Sequence, residues 1–260
     1  MNRSPALQRK LADLSRSAGV RWRLGPRGVP TTNGLSGADR LKEKLGHLLE
    51  TEVFSPLTGE ERTWLAESTT MVTCEKGRVF YTPDEPGEVV FILKRGRVEL
   101  YRLAADGRKL VVATLGPHTI FGEMGLIGQK MYGCYAEAAE DCLICVLSRT
   151  DLQALVRRNP DVGLRLLAEL GNRLQQREAE LESLAFRGVP ARLAALLLQE
   201  MDAYGTVSGY SHQELAERLG AYRETVSQVL GRFRNERLVA VEPRRIRILD
   251  EAGLTVYADG

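Results

Sequence analysis

Ser211-His212-Gln213-Glu214-Leu215-Ala216-Glu217-Arg218-Leu219-Gly220-Ala221-Tyr222-Arg223-Glu224-Thr225-Val226-Ser227-Gln228-Val229-Leu230 is the stretch that decides the fold. Ser211 followed three residues later by Glu214 is the N-cap and N3 pair that opens a helix. Leu215, Ala216 and Leu219 then line one face of a first helix, and Val226, Val229, Leu230 and Phe233 line one face of a second. Between them Gly220 supplies the positive φ that a tight turn between two helices requires. This is a helix-turn-helix pattern. Beyond it, Leu238–Val241 and Ile246–Leu249 flank Glu242-Pro243-Arg244-Arg245, which predicts a β-hairpin wing with an arginine-rich tip.

The face of the second helix opposite its apolar residues carries Tyr222, Arg223, Thr225, Ser227, Gln228 and Arg232. Arg223, near the helix start, can donate two hydrogen bonds to O6 and N7 of a guanine, and Glu224 can accept from a cytosine N4. Ser227 and Gln228 complete the predicted base-reading set. Ser211 and Thr225 offer hydroxyls suited to phosphates, as do His212, Tyr222, Arg244 and Arg245, and such contacts position a protein without reading sequence. The expected partner is double-stranded DNA. A surface helix with ordinary charges is the alternative, and a complete helix-turn-helix with a wing argues against it.

Charge follows the same division. The chain of 260 residues has a formal net charge of only +2. Between Arg218 and Arg247, however, the arginines 218, 223, 232, 234, 237, 244, 245 and 247 face only Glu224, Glu236 and Glu242. A localised basic patch is the electrostatic footprint of a phosphate-binding surface. Residues 1–37 are also basic, and they mix Arg with Gly and Pro, as in Gly25-Pro26-Arg27-Gly28-Val29-Pro30. They read as a flexible arm, because they bury too little apolar surface to offset ordering entropy.

Upstream of the wing domain, expected over 187–260, Gly188-Val189-Pro190 breaks a long helical pattern. Within that pattern Leu167, Leu170, Leu174, Arg177, Leu181 and Leu184 recur at alternating spacings of three and four. A seam this narrow with charged flanks predicts a coiled-coil partner and assigns residues 159–186 to dimerisation. Residues 38–158 form the expected β-rich domain with flanking helices. Helical patterns at Asp39–Leu49 and Thr58–Ser68 lead into short β-rich runs at Arg78–Tyr81, Val89–Leu93, Val98–Leu103, Lys109–Leu115 and Cys142–Leu147. Turns at Pro86-Gly87, Arg95-Gly96, Asp106-Gly107 and Gly116-Pro117 separate them, as in a β-sandwich, barrel or jelly roll. The whole is therefore α+β.

Arg223-Glu224-Thr225-Val226 in its helix-turn-helix resembles the recognition helix of the cyclic-AMP receptor / fumarate-nitrate regulator (CRP/FNR) family of bacterial transcription regulators. The resemblance extends from about Leu48 to Leu249 through Pro86-Gly87-Glu88-Val89-Val90-Phe91-Ile92-Leu93-Lys94-Arg95-Gly96-Arg97-Val98, Phe121-Gly122-Glu123-Met124-Gly125-Leu126 and Asn159-Pro160. It implies an N-terminal double-stranded β-roll of the cyclic-nucleotide-binding type, a long dimerisation helix and a C-terminal winged helix-turn-helix. It further implies a cytoplasmic homodimer, an activator that contacts RNA polymerase, and a palindromic operator with TGTGA-like half-sites. The implied effector pocket comprises Gly122, Glu123, Met124, Tyr132, Gly133, Cys134 and Arg177.

The chain departs from that family where cyclic AMP is held. The arginine that pairs with the cyclic phosphate, and the two residues after it, correspond here to Tyr132, Gly133 and Cys134, and the pair that meets adenine corresponds to Arg177 and Glu178. A phosphate buried there lacks its charge-assisted partner. The chain is thus expected to act without cyclic AMP, either ligand-free or through another effector. Residues 1–73 contain no cysteine for an iron–sulfur cluster, and His47, His118 and His212 are the only histidines for haem. Cys142 and Cys145, three apart on one apolar strand, point to opposite faces and suit burial better than chelation or redox switching. No catalytic constellation, cofactor or metal site, and no apolar run of about 18 residues for a membrane span, is expected.

Overall fold

The computed structural model describes Gly46 and residues 50–83, 88–122 and 133–259. The expected arm over 1–37, the Asp39–Leu49 helical pattern apart from Gly46, the Pro86-Gly87 turn and residues 123–132 lie outside the described residues. The chain divides into two compact units, Met1–Gly107 with Val112–Asn172 and Arg108–Val111 with Arg173–Gly260.

A short 3-10 turn at Glu52–Phe54 leads to helix α1 (Gly59–Ser68). Its start is fixed by the predicted capping box: Thr58 Oγ1 accepts from the Glu61 N–H at 3.3 Å, and Glu61 Oε2 accepts from the Thr58 N–H at 2.9 Å. Eight strands follow: β1 (Thr70–Cys74), β2 (Val79–Tyr81), β3 (Val89–Arg95), β4 (Val98–Leu103), β5 (Lys109–Leu115), β6 (Ile120–Phe121), β7 (Tyr135–Ala138) and β8 (Cys142–Ser148). They make two four-stranded sheets, ordered β1-β8-β3-β6 and β2-β7-β4-β5. Helices α2 (Arg149–Arg158) and α3 (Pro160–Phe186) come next.

The apolar runs of β3 and β8 are continuous because both strands are covered on both sides. Val89, Phe91 and Leu93 of β3 face the roll interior with Cys142, Ile144 and Val146 of β8. The alternate residues Val90, Ile92, Cys145 and Leu147 join Leu65, Leu152, Leu155, Val162 and Leu166 in a second core beneath the helices. Inside the roll Phe80, Phe91 and Phe121 cluster with ring centroids 5.0–5.4 Å apart. At the β3–β4 turn Gly96 has φ 96°, and a side chain there would meet Asp141 O at 2.5 Å and Cys142 Sγ at 2.7 Å. Glycine is thus required both by backbone conformation and by the close approach of β8.

Cys142 and Cys145 lie on opposite faces of β8, and all four cysteines are buried and outside any disulfide. Burial pushes the Cys74 thiol up to about 11 and raises Cys142 as well. Such thiols hold little thiolate at neutral pH, which makes them poor nucleophiles. Among the described residues no cluster of three or more His, Cys, Asp or Glu could hold a metal, and no helix is long and apolar enough to cross a membrane.

Lys94, only 4% exposed, is the unusual charge of this unit; its Nζ donates to Thr51 Oγ1 at 3.3 Å. Burial pulls its ammonium down to about 8. The unfolded chain therefore binds the proton more tightly, and the cost to folding is fully present below pH 8 and fades as pH rises towards the ordinary lysine value. Lys94→Met is expected to raise the melting temperature at pH 7, with the gain shrinking between pH 8 and about 10.5. Thermal melts of both proteins across that range check this; a lower or pH-independent difference contradicts it.

Candidate nucleic-acid interface

In the second unit helix α4 (Val189–Glu200) begins with proline in its first turn. It is followed by β9 (Thr206–Ser208), α5 (His212–Leu219), α6 (Arg223–Asn235), β10 (Val239–Glu242), β11 (Arg245–Ile248) and α7 (Glu251–Asp259). Leu215, Ala216 and Leu219 of α5, with Val226, Val229, Leu230 and Phe233 of α6, are buried in one core with Leu193, Leu197, Ile246 and Leu254. These are the inward faces that the sequence pattern predicts. The strands order as β10-β11-β9, with Glu242 paired to Arg245 across the two-residue tip Pro243-Arg244. Arg244 takes the left-handed conformation there, at φ 53°.

Three devices fix the angle between α5 and α6. The Ser211 hydroxyl accepts from the Glu214 N–H at 3.2 Å while Glu214 Oε2 accepts from the Ser211 N–H at 2.7 Å, closing a second capping box. At the other end Gly220 is left-handed, φ 61°, and its N–H bonds to the Ala216 carbonyl. Arg192 of α4 donates to the Leu219 carbonyl at 2.6 Å, satisfying a helix-end acceptor. A polar triangle adds to these: Arg218 donates to Glu200 Oε1 at 2.8 Å and to the Tyr210 hydroxyl at 2.5 Å, and that hydroxyl donates to Glu200 Oε2 at 2.6 Å.

The residues assigned to base reading lie on the outer side of α6. Arg223 is its first residue; Arg223, Glu224 and Gln228 are exposed, and Thr225 and Ser227 are half-buried. Among the described residues the side chains of Arg223, Glu224 and Gln228 make no hydrogen bond or ion pair. Tyr222 occupies the N-cap with no side-chain cap bond, leaving the first backbone N–H groups of α6 outward. Arg232, by contrast, is held by Glu236 at 3.0 Å, and Tyr257 donates to the same carboxylate at 2.7 Å.

The remaining assigned contacts divide. Arg245 is exposed on β11, whereas Arg244 folds back to the Gly209 carbonyl and to Glu214, at 3.1 Å from Oε2. His212 Nδ1 lies 2.9 Å from Ser227 Oγ. Arg247, which the sequence reading left out, shares the exposed face of β11 with Arg245, and the alternation Arg-Ile-Arg-Ile was its signal. Burial alone would raise the Glu214 carboxyl, but the bonds from Ser211 and the adjoining Arg244 guanidinium hold it below the usual range. That stabilisation is present at neutral pH and lost as pH falls through the lowered value.

Of the residues assigned to an effector pocket, Gly122 and Gly133 are left-handed at φ 82° and 63°, and Cys134 is buried in the roll core. Glu123, Met124 and Tyr132 lie outside the described residues. Arg177 is paired with Glu180 one turn along its own helix at 2.5 Å. Along α3, Leu167, Leu174, Leu181 and Leu184 are 51–65% exposed, and Leu170 is partly buried.

A double-sheeted β-roll followed by a winged helix-turn-helix is the architecture of a DNA-binding transcription regulator. The comparisons with known proteins agree. The Cyclic nucleotide-binding domain profile matches residues 71–159, and the Crp-like helix-turn-helix domain profile matches residues 191–257. The chain is similar to the Cyclic AMP receptor protein of Thermus thermophilus, 33% identical over 186 residues that cover 71% of this chain and 86% of the relative. It is similar to the Global nitrogen regulator of Synechococcus elongatus, 31% identical over 70% of this chain and 86% of that protein. The structure of FixK2 from Bradyrhizobium japonicum matches with a TM-score of 0.63 at 25% identity, covering 73% of this chain and 96% of that one. The chain belongs to the CRP/FNR family of transcription regulators.

Because Ser211 closes the capping box, Ser211→Ala is expected to lower the stability of the second unit by about 1 kcal/mol. Thermal denaturation followed by circular dichroism checks this; an unchanged melt would show the cap to be dispensable.

Proposed function

We propose that this regulator binds a palindromic, TGTGA-like operator as a homodimer and activates transcription by contacting RNA polymerase in the cytoplasm. Arg223, Glu224, Ser227 and Gln228 read bases, and Ser211, His212, Tyr222, Thr225, Arg245 and Arg247 contact phosphates. Arg244 contributes indirectly, by bracing the wing tip against Glu214. The observation that carries this reading is the outer edge of α6, where Arg223 and Gln228 stand exposed with no side-chain partner among the described residues. An exposed guanidinium at a helix start fits the bidentate geometry of guanine. Arg223→Ala is expected to cost about 1–3 kcal/mol on the selected operator and to relax preference at one guanine per half-site. Fluorescence-anisotropy titrations on operator variants measure both quantities, and an unchanged base preference would remove Arg223 from the reader.

The homodimer reading rests on the α3 stripe, since four leucines more than half exposed at heptad spacing are apolar surface that a second α3 would cover. Leu174→Glu combined with Leu181→Glu sets like charges across the seam. Sedimentation is expected to give a monomer that no longer binds the palindrome; an intact dimer of the double variant contradicts the assignment.

The regulator works in the ligand-free state in this reading. Tyr132-Gly133-Cys134 offers no cation to a buried phosphate, and Arg177 is already paired with Glu180. The raised thiols of Cys74 and Cys142 argue against cysteine oxidation as the switch. Cyclic AMP added to the titrations above is accordingly expected to leave operator affinity unchanged, and a tenfold gain would restore it as the effector.

A further inference from the structure

His212 and Ser227 each have a side-chain bond to the other and, among the described residues, to nothing else. His212 opens α5, directly after the Ser211 cap, and Ser227 sits one turn into α6, between Glu224 and Gln228. The 2.9 Å contact from Nδ1 to Oγ therefore joins the first helix of the reader to the middle of its base-facing edge. From this contact we infer that His212 is a positioning residue that sets the hydrogen-bond polarity of Ser227, and so makes base selection at one position of each half-site depend on protonation. The inference rests on the DNA-reading assignment of α6.

The chemistry follows from the donor inventory of the two groups. A neutral imidazole has one donor nitrogen and one acceptor nitrogen. A phosphate beside the start of α5 keeps the proton on Nε2, as donor to its oxygen, and leaves Nδ1 as acceptor. The Ser227 hydroxyl then donates to Nδ1 and presents only lone pairs to the groove. Protonation turns Nδ1 into a donor. The Ser227 oxygen must now accept from it, and the hydroxyl hydrogen turns outward. An edge that accepted from a base amino group becomes one that donates to a base N7 or carbonyl oxygen. Histidine is the side chain whose charge changes between about pH 5 and 8.

The charged groups around His212 leave this exchange intact. On α5 itself Glu214 is held by Ser211 and Arg244, and Glu217 accepts from Gln213 at 3.0 Å. On α6, Arg223 and Glu224 are the exposed charges near Ser227, and they differ in sign. On α4, Arg192 and Glu200 are taken up by the Leu219 carbonyl and by Arg218. His212 is thus the one titratable group bonded to the base-facing edge among the described residues.

The test uses the full chain and the operator it selects, with duplexes carrying each base pair in turn at the position facing Ser227, titrated at pH 5.5 and pH 8.0. In the wild type the ratio of affinities between the preferred pair and its alternatives is expected to shift by about three- to tenfold between the two pH values, the range that one neutral hydrogen bond covers. Ser227→Ala and His212→Asn should each flatten that shift, read as a ratio at each pH so that a loss of overall affinity cancels, and the double variant should flatten it no further than either alone. A wild-type ratio constant with pH, or an equal shift in Ser227→Ala, overturns the inference and leaves the reader assignment standing. Failure of the wild type to select any sequence overturns both. Far-ultraviolet circular dichroism of both single variants confirms that the helices are in place when the ratios are read.

Discussion

The placement of α6 depends on the left-handed turn at Gly220. A left-handed residue at φ 61° ends α5 and lets α6 begin three residues later, which holds Arg223 at the head of the second helix. A residue with a Cβ pays a conformational cost in that region that glycine does not. Around this point the remaining polar groups are spent on angle and position. The Ser211–Glu214 box fixes where α5 starts, Arg192 satisfies the Leu219 carbonyl, and Arg218 joins α5 to Glu200 and Tyr210. Among the described residues, Arg223, Glu224 and Gln228 on the edge of α6 are left unspent.

Much of this was legible in the sequence because each signal there has a local cause. The Ser-x-x-Glu cap, the glycine turn and the apolar spacing of the two helices each act within a few residues, and all three appear where the pattern placed them. Strands Val98–Leu103 and Lys109–Leu115 likewise match the β-rich runs. Strand β7 was missed because Tyr-Ala-Glu-Ala lacks the β-branched residues of a typical strand and is held by its neighbours β2 and β4. Helix α2 was missed because its apolar face is short, with only Leu152 and Leu155 buried.

The site was less legible than the fold. Residue types name what a side chain can do, but not which of them are already occupied. Arg244 reads in sequence as an unengaged wing-tip cation, yet it closes onto Glu214 and the Gly209 carbonyl; Arg247 faces outward beside Arg245. His212 reads as a phosphate ligand and is bonded to a residue fifteen positions away on the next helix. Such long-range pairings arise from the packing of α5 on α6, which no periodicity encodes.

The central claim is that the outward edge of α6, duplicated in a dimer, reads DNA. Selection from a pool of randomised duplexes with the purified chain tests it most directly. The account predicts enrichment of an inverted repeat whose half-sites lie one or two helical turns apart, about 34–36 Å per turn. Enrichment of a single unrepeated site, or recovery of no common sequence at low salt, would contradict it.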